Sequence, residues 1–128
     1  MDRQDTRSPR SRAVGLGSAK HGSQQWWMER VSAVALVPLT LWFVASIIAH
    51  SGSDYAAFIA WLGTPFATTF MVLLLIALFY HTALGLQVVV EDYVHTGAKL
   101  PIVVAVRLGC FAFAASGVIA TLRIAFGG

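Results

Sequence analysis

The stretch Phe79–His95 reads FYHTALGLQVVVEDYVH, and it decides how the chain folds. It begins within an apolar run and leaves that run at the acidic and aromatic residues Glu91, Asp92 and Tyr93. If the run crosses a membrane, His81 lies inside the hydrocarbon. Because an ionisable side chain is costly there, His81 is a candidate functional residue.

The composition favours a membrane protein. Of the 128 residues, 57% are hydrophobic and 12% are charged, whereas a soluble domain carries about 25% charged residues. Apolar blocks of about 18 or more residues are typical of membrane spans. Three such blocks, at 31–49, 66–90 and 102–126, predict an all-α membrane protein with three transmembrane helices in one domain, residues 23–128.

The positive charge lies near the N-terminus. Residues 1–30 contain six Lys or Arg and three acidic residues, whereas residues 31–128 contain three of each. Residues 1–22 are polar and are predicted to form a disordered basic tail. Because these residues lack any nucleic-acid-binding pattern, their charge is better explained by membrane topology than by a nucleic-acid partner.

The same charge distribution predicts an orientation. Since Lys and Arg keep flanking segments on the cytoplasmic side, we expect the N-terminus and the loop Glu91–Lys99 to be cytoplasmic. The connection Ser51–Pro65 contains no Lys or Arg and is expected on the other side. Asp2 and Asp5 argue against a mitochondrial transit peptide. A bacterial cell inner membrane is therefore preferred over the mitochondrial inner membrane.

Helical geometry places several polar residues on one face of the second span. From His81 to Asp92 the helix turns by about 1100°, so both lie on the same face, about 16 Å apart. Gly85 lies on this face one turn from His81, where it leaves room for a flat group or for a close helix contact. Tyr93 follows at the boundary, where its phenol either anchors the helix or hydrogen-bonds a carbonyl.

Three interpretations of His81 follow from its position: a hydrogen bond to a neighbouring helix, a proton relay, or ligation of a haem iron by neutral imidazole. Within the chain, His50 lies at the outer end of the first span, and His21 and His95 lie outside the spans. Met71 is about 15 Å away on the same helix. If His81 is one of two axial haem ligands, the second is therefore expected from another chain.

Other residues of the spans have simpler interpretations beside functional ones. Trp26 and Trp27 fit an interfacial aromatic belt or the wall of a cofactor site. Arg30, at the start of the first span, fits a snorkelling cation. Gln87 is expected to form an interhelical hydrogen bond, and Cys110 to be a small buried apolar residue.

These residues resemble the small hydrophobic membrane anchor subunit of succinate dehydrogenase (complex II). The resemblance rests on His81, ten intervening residues and Asp92-Tyr93 at the inner end of the second of three spans. The segment Trp26–Leu36, WWMERVSAVAL, is also similar to the start of that subunit's first span. The resemblance covers roughly residues 24–126.

The resemblance implies roles for individual residues. His81 matches the axial ligand of haem b, with the second histidine supplied by the larger cytochrome b anchor subunit. Tyr93 matches the tyrosine that hydrogen-bonds a ubiquinone carbonyl, and Asp92 matches the neighbouring acid. Arg30 matches the arginine near the haem propionates and the quinone pocket.

The resemblance also implies partners. Trp26 and Trp27 would lie at the outer wall of the quinone pocket. Electrons would come from an iron–sulfur subunit, while succinate oxidation in the tricarboxylic acid cycle would belong to a flavoprotein subunit. The chain would then be a non-flavin subunit within a heteromeric helical bundle, with no catalytic residue of its own. The alternatives are a stand-alone structural or assembly membrane protein and a small proton-coupled transporter.

Overall fold

The computed structural model describes the backbone of residues 17–127 and the side chains of residues 23–127. Across these residues the secondary structure is helical and contains no strand, which confirms the predicted all-α class. The chain forms four helices: α1 (Gly17–Ala49), α2 (Tyr55–Leu62), α3 (Pro65–Tyr93) and α4 (Lys99–Ala125).

Three of these helices are long and apolar enough to cross a membrane. The segments that qualify are Ser23–Ala49, Pro65–Tyr93 and Lys99–Ala125, with mean hydropathies of 2.3, 2.1 and 2.2. The prediction of three spanning helices is confirmed. Each helix extends beyond its predicted apolar block at the end of the bundle where α1 begins: α1 begins before residue 31, α3 ends after residue 90 and α4 begins before residue 102. A helix can continue into the membrane interface after its hydrophobic residues end.

The N-terminal end of α1 reaches into the segment predicted to be a disordered tail. The helix begins at Gly17, and the remainder of that segment, residues 1–16, lies outside the described residues. Farther along, α1 continues through Pro38 to Ala49 without a change of helix type. Neighbouring helices and local adjustment make such a proline tolerable in a membrane helix.

Local sequence signals fix the other helix starts. Asp54 caps α2, its Oδ1 accepting a hydrogen bond from the Ala57 N–H at 2.8 Å. Thr64 caps α3, and Pro65 occupies the first helical position, where its missing N–H is not needed. Pro101 lies in the first turn of α4. The short α2 turns the chain so that α3 returns beside α1.

The packing is an open row with α3 at the centre. α3 packs against α1 and against α4, while α2 rests on α4 and α3. At Gly117 of α4 an added Cβ would lie 3.1 Å from Cδ1 of Leu75, so this glycine lets α3 and α4 approach closely. The buried hydrophobic residues of the described region are few: Leu62, Ala67 and Leu74. Most apolar surface therefore faces outward, toward lipid or other subunits.

An aromatic cluster joins α1, α2 and α3 near the C-terminal end of α1. The Trp42 ring stacks on Trp61 with centroids 5.9 Å apart and meets Phe70 edge-on at 5.3 Å. His50 lies 4.3 Å from Trp61, and its Nδ1 is 2.8 Å from the Ser46 carbonyl oxygen. These contacts hold the three helices together at the C-terminal end of α1, away from the candidate site.

Candidate functional site

His81 contacts α1 through a buried serine that sequence reasoning missed. Nδ1 of His81 lies 3.0 Å from Oγ of Ser32, and the Ser32 hydroxyl also donates to the Glu29 carbonyl at 2.9 Å. Ser32 is only 6% exposed. The contact joins the centre of α3 to α1 and fixes how the imidazole is oriented.

The other ring nitrogen of His81 is left open. In residues 23–127 no hydrogen bond involves Nε2, and no buried side-chain nitrogen or oxygen there lacks a partner. Nε2 therefore reaches the surface of the chain. A hydrogen bond to a neighbouring helix and iron ligation are thus compatible, because each uses a different nitrogen. A ring with one nitrogen held and the other open fits an axial haem ligand.

No second histidine of the described region comes near His81. His50 is eighteen residues from Ser32 along α1, or about 27 Å, and it is held at the outer end by Trp61. His95 is exposed beyond the end of α3, and the side chain of His21 lies outside the described residues. Within the described part of the chain, no group of three or more His, Cys, Asp or Glu is arranged to hold a metal ion.

The surface beside Gly85 is open. A Cβ built on Gly85 would meet no atom within 4 Å. Of the two explanations for this glycine, a close contact with another helix of this chain is therefore not observed. The space lies one turn from His81 on the same face of α3, where a planar group could lie beside the imidazole.

Arg30, Trp26 and Trp27 form one cluster on α1. The Arg30 guanidinium lies over the Trp26 ring at 5.3 Å, a cation–π contact, and Trp27 meets Trp26 edge-on at 5.4 Å. Arg30 lies two residues before Ser32, the residue that contacts His81. Its backbone is therefore about 3 Å from Ser32 along the axis of α1 but about 200° around the helix. The structure therefore places Arg30 at the depth of His81, on the far side of α1.

Asp92 and Tyr93 lie at the C-terminal end of α3. Both are exposed, Tyr93 by 81%. Tyr93 is twelve residues, or about 18 Å, from His81 along the helix axis. Among residues 23–127, no hydrogen bond connects this pair to His81 or to Arg30. The predicted site residues thus form three separate groups on α1 and α3.

A network of hydrogen bonds between polar side chains links α3 to α4. Arg107 donates through Nε to Oε1 of Gln87 at 3.1 Å, with Nη2 bonded to the same oxygen, and Gln87 Nε2 donates to Glu91 Oε1 at 2.9 Å. The predicted interhelical bond of Gln87 is confirmed. These hydrogen bonds give Arg107, an ionisable residue within a span, polar partners. Glu91 also belongs to this network.

A groove between α3 and α4 is distinct from the candidate site. It has a volume of about 580 Å³. Its lining is mostly apolar, but it also includes the polar side chains of Gln87 and Arg107. Helical geometry turns Gln87 about 120° away from His81.

Comparisons with known proteins identify the family of this chain. The family described as succinate dehydrogenase/fumarate reductase transmembrane subunit matches residues 4–121. A succinate dehydrogenase hydrophobic membrane anchor subunit from Paracoccus denitrificans is 35% identical over 121 residues, covering 94% of this chain and 93% of that protein. One from Rickettsia bellii (strain RML369-C) is 34% identical over 105 residues, covering 81% and 84%.

The fold defines a multi-pass helical membrane protein. The extent of the match is nearly the whole chain, well beyond a shared hydrophobic pattern. The chain belongs to the succinate dehydrogenase/fumarate reductase transmembrane subunit family, and it is a hydrophobic membrane anchor within it.

Proposed function

We propose that this anchor holds haem b through His81 and forms part of a ubiquinone-reduction site in a succinate dehydrogenase complex. The observation that carries the proposal is the state of the His81 ring. Its Nδ1 is held by Ser32, while Nε2 is open at the surface of the chain. Neutral imidazole with one free nitrogen is a good iron ligand.

The haem site is proposed to be shared between two subunits. His81 supplies one axial ligand, and the larger cytochrome b anchor subunit supplies the second histidine. When bound, the haem would act as a one-electron carrier. Arg30 lies at the depth of His81 with an exposed guanidinium, so we assign it to the haem propionates or the quinone pocket on the side that the partner completes.

The quinone site is proposed at the inner end of α3. The exposed Tyr93 hydroxyl donates a hydrogen bond to a ubiquinone carbonyl. Asp92 beside it orients that donor or passes a proton to the quinone. Trp26 and Trp27 form an apolar wall at the same boundary. The reaction adds two electrons and two protons to ubiquinone and yields ubiquinol.

The chain is proposed to work only as part of a larger enzyme. Electrons arrive from the iron–sulfur subunit, and the flavoprotein subunit oxidises succinate, so this chain contributes no catalytic residue to that step. We place the complex in a bacterial cell inner membrane with the N-terminus of this chain in the cytoplasm. The exposed apolar faces of α1, α3 and α4 then meet lipid and the larger anchor.

Purification of the chain in mild detergent tests this function. We expect flavoprotein, iron–sulfur and larger anchor subunits to accompany it, and the reduced-minus-oxidised difference spectrum to show a b-type haem. A pure single chain without haem would favour a stand-alone structural or assembly protein. Proton-coupled uptake by the single chain in vesicles would favour a transporter. Either result would overturn the proposal.

Filling the space at Gly85 should exclude haem. We expect Gly85→Leu to lower the haem content of the assembled complex severalfold, because the added side chain projects into the open face one turn from His81. Leucine is also a better helix former than glycine by about 1 kcal/mol, so α3 itself should stay intact. Haem content is measured per complex by pyridine haemochrome absorbance.

Gly109→Leu on α4 is the matched control for this prediction. A Cβ at Gly109 also meets no atom within 4 Å, so the same substitution adds the same bulk elsewhere. Normal haem content in both variants would show that the open surface at Gly85 is not where haem lies.

A further inference from the structure

Ser32 is buried between α1 and α3, and both of its contacts are polar. Its Oγ lies 2.9 Å from the Glu29 carbonyl oxygen and 3.0 Å from Nδ1 of His81. A serine hydroxyl has one proton to donate, and a carbonyl oxygen can only accept. The two contacts are therefore not independent, because the direction of one bond determines the direction of the other.

Counting protons gives two possible arrangements. In the first, Ser32 donates to Glu29 and accepts from Nδ1–H of His81, so both hydrogen bonds form and Nε2 carries only a lone pair. In the second, Ser32 donates to Nδ1, the Glu29 contact loses its proton, and Nε2–H has no partner among the described residues. An unsatisfied donor away from water costs about 1–3 kcal/mol. The first arrangement is therefore the stable one.

We infer that Ser32 is the positioning residue that sets the tautomer of His81 and presents its Nε2 lone pair to iron. This inference rests on the proposed function. By accepting a hydrogen bond from Nδ1–H, Ser32 also makes the imidazole a stronger electron donor. A stronger donor stabilises ferric over ferrous iron, so the serine lowers the reduction potential of the bound haem.

The inference also connects the two ends of the candidate site. The Glu29 carbonyl that receives the Ser32 proton lies in the same turn of α1 as Arg30. Movement of this turn would change the Ser32–Glu29 distance and with it the strength of the bond to His81. Ser32 thus relates the haem ligand to the segment of α1 that carries Arg30 and Trp26.

The test compares complexes carrying Ser32→Ala, Ser32→Thr and Ser46→Ala. Ser46 lies on the same helix, about 21 Å from Ser32 toward the C-terminal end of α1. Its substitution by alanine also removes one serine hydroxyl. We expect Ser32→Ala to raise the haem midpoint potential by up to about 59 mV, a tenfold change for one electron. We also expect changed g-values of the ferric haem in electron paramagnetic resonance. Ser32→Thr should restore both, and Ser46→Ala should change neither.

Several outcomes would overturn the inference. An unchanged potential and unchanged g-values in Ser32→Ala, with haem present, would mean that Ser32 does not act on the ligand. Equal shifts in Ser32→Ala and Ser46→Ala, or no rescue by threonine, would indicate general packing. If His81→Ala also kept its haem, the proposed function itself would fail, so the two failures are distinguishable.

Discussion

Replacing His81 with alanine is expected to remove the b-type haem spectrum from the assembled complex. Loss of a residue that merely supports a metal ligand costs about 10–100-fold in affinity, so loss of the ligand itself should reduce haem content by at least about tenfold. The substitution leaves α3 a good helix, because alanine has the highest helix propensity. The measurement is the reduced-minus-oxidised spectrum of complex purified to equal subunit content.

His50→Ala provides the matched control for His81→Ala. It makes the same change in the same membrane domain, but His50 packs on Trp61 at the outer end. Its haem spectrum should match that of the unmodified complex. A b-type spectrum that persists in a fully assembled His81→Ala complex would show that His81 is not the ligand.

The loss of His81 is expected to leave Ser32 hydrogen-bonded, so that loss of the haem ligand can be separated from failure of the complex to assemble. Without the imidazole, Ser32 keeps its bond to the Glu29 carbonyl, so its hydroxyl remains satisfied. The α1–α3 contact should therefore weaken without leaving a buried donor unpaired. Assembly of the His81→Ala complex is expected to survive while haem binding is lost.

Much of the fold could be predicted because it depends on local chemistry. The length of each apolar block determines a spanning helix, and the capping residue Asp54 begins the short helix Tyr55–Leu62. Pro101 begins its helix in the first turn, where a proline needs no hydrogen-bond partner. Each of these features is set by residues adjacent in sequence.

The contact between Ser32 and His81 could not be predicted in this way. The apolar blocks place Ser32 one residue inside the first span and His81 nine residues from the end of the second, a difference of about 12 Å in depth. In the structure α1 remains helical and apolar from Ser23, which brings the two residues to one level. The register of two packed helices depends on side chains distant in sequence.

The same reason explains what was found for Gln87. Its position within a span indicates an interhelical hydrogen bond, because an unpaired amide is costly in lipid. Its partner, Arg107, follows only from the register of α3 against α4. Sequence therefore predicts that a polar residue needs a partner, and packing decides which one it has.

Tyr93→Phe is expected to lower ubiquinone reduction about tenfold while leaving electron transfer from succinate to an artificial acceptor unchanged. The substitution removes one hydroxyl, and a tenfold change equals about 1.4 kcal/mol, at the upper end for one hydrogen bond. Because Tyr93 is 81% exposed at the end of α3, the ring supports little packing that phenylalanine could disturb. The measurement is succinate-dependent reduction of each acceptor by the purified complex.

Tyr55 offers a closely matched control, since it is also 81% exposed but lies at the outer end of the chain. Tyr55→Phe should leave both activities unchanged, because the proposed quinone site is at the other boundary. Equal loss of both activities in Tyr93→Phe would indicate damage to assembly rather than to quinone binding. Full ubiquinone reduction by Tyr93→Phe would mean that the phenol hydroxyl does not hold the quinone, and the site would then have to be sought at the groove near Arg107.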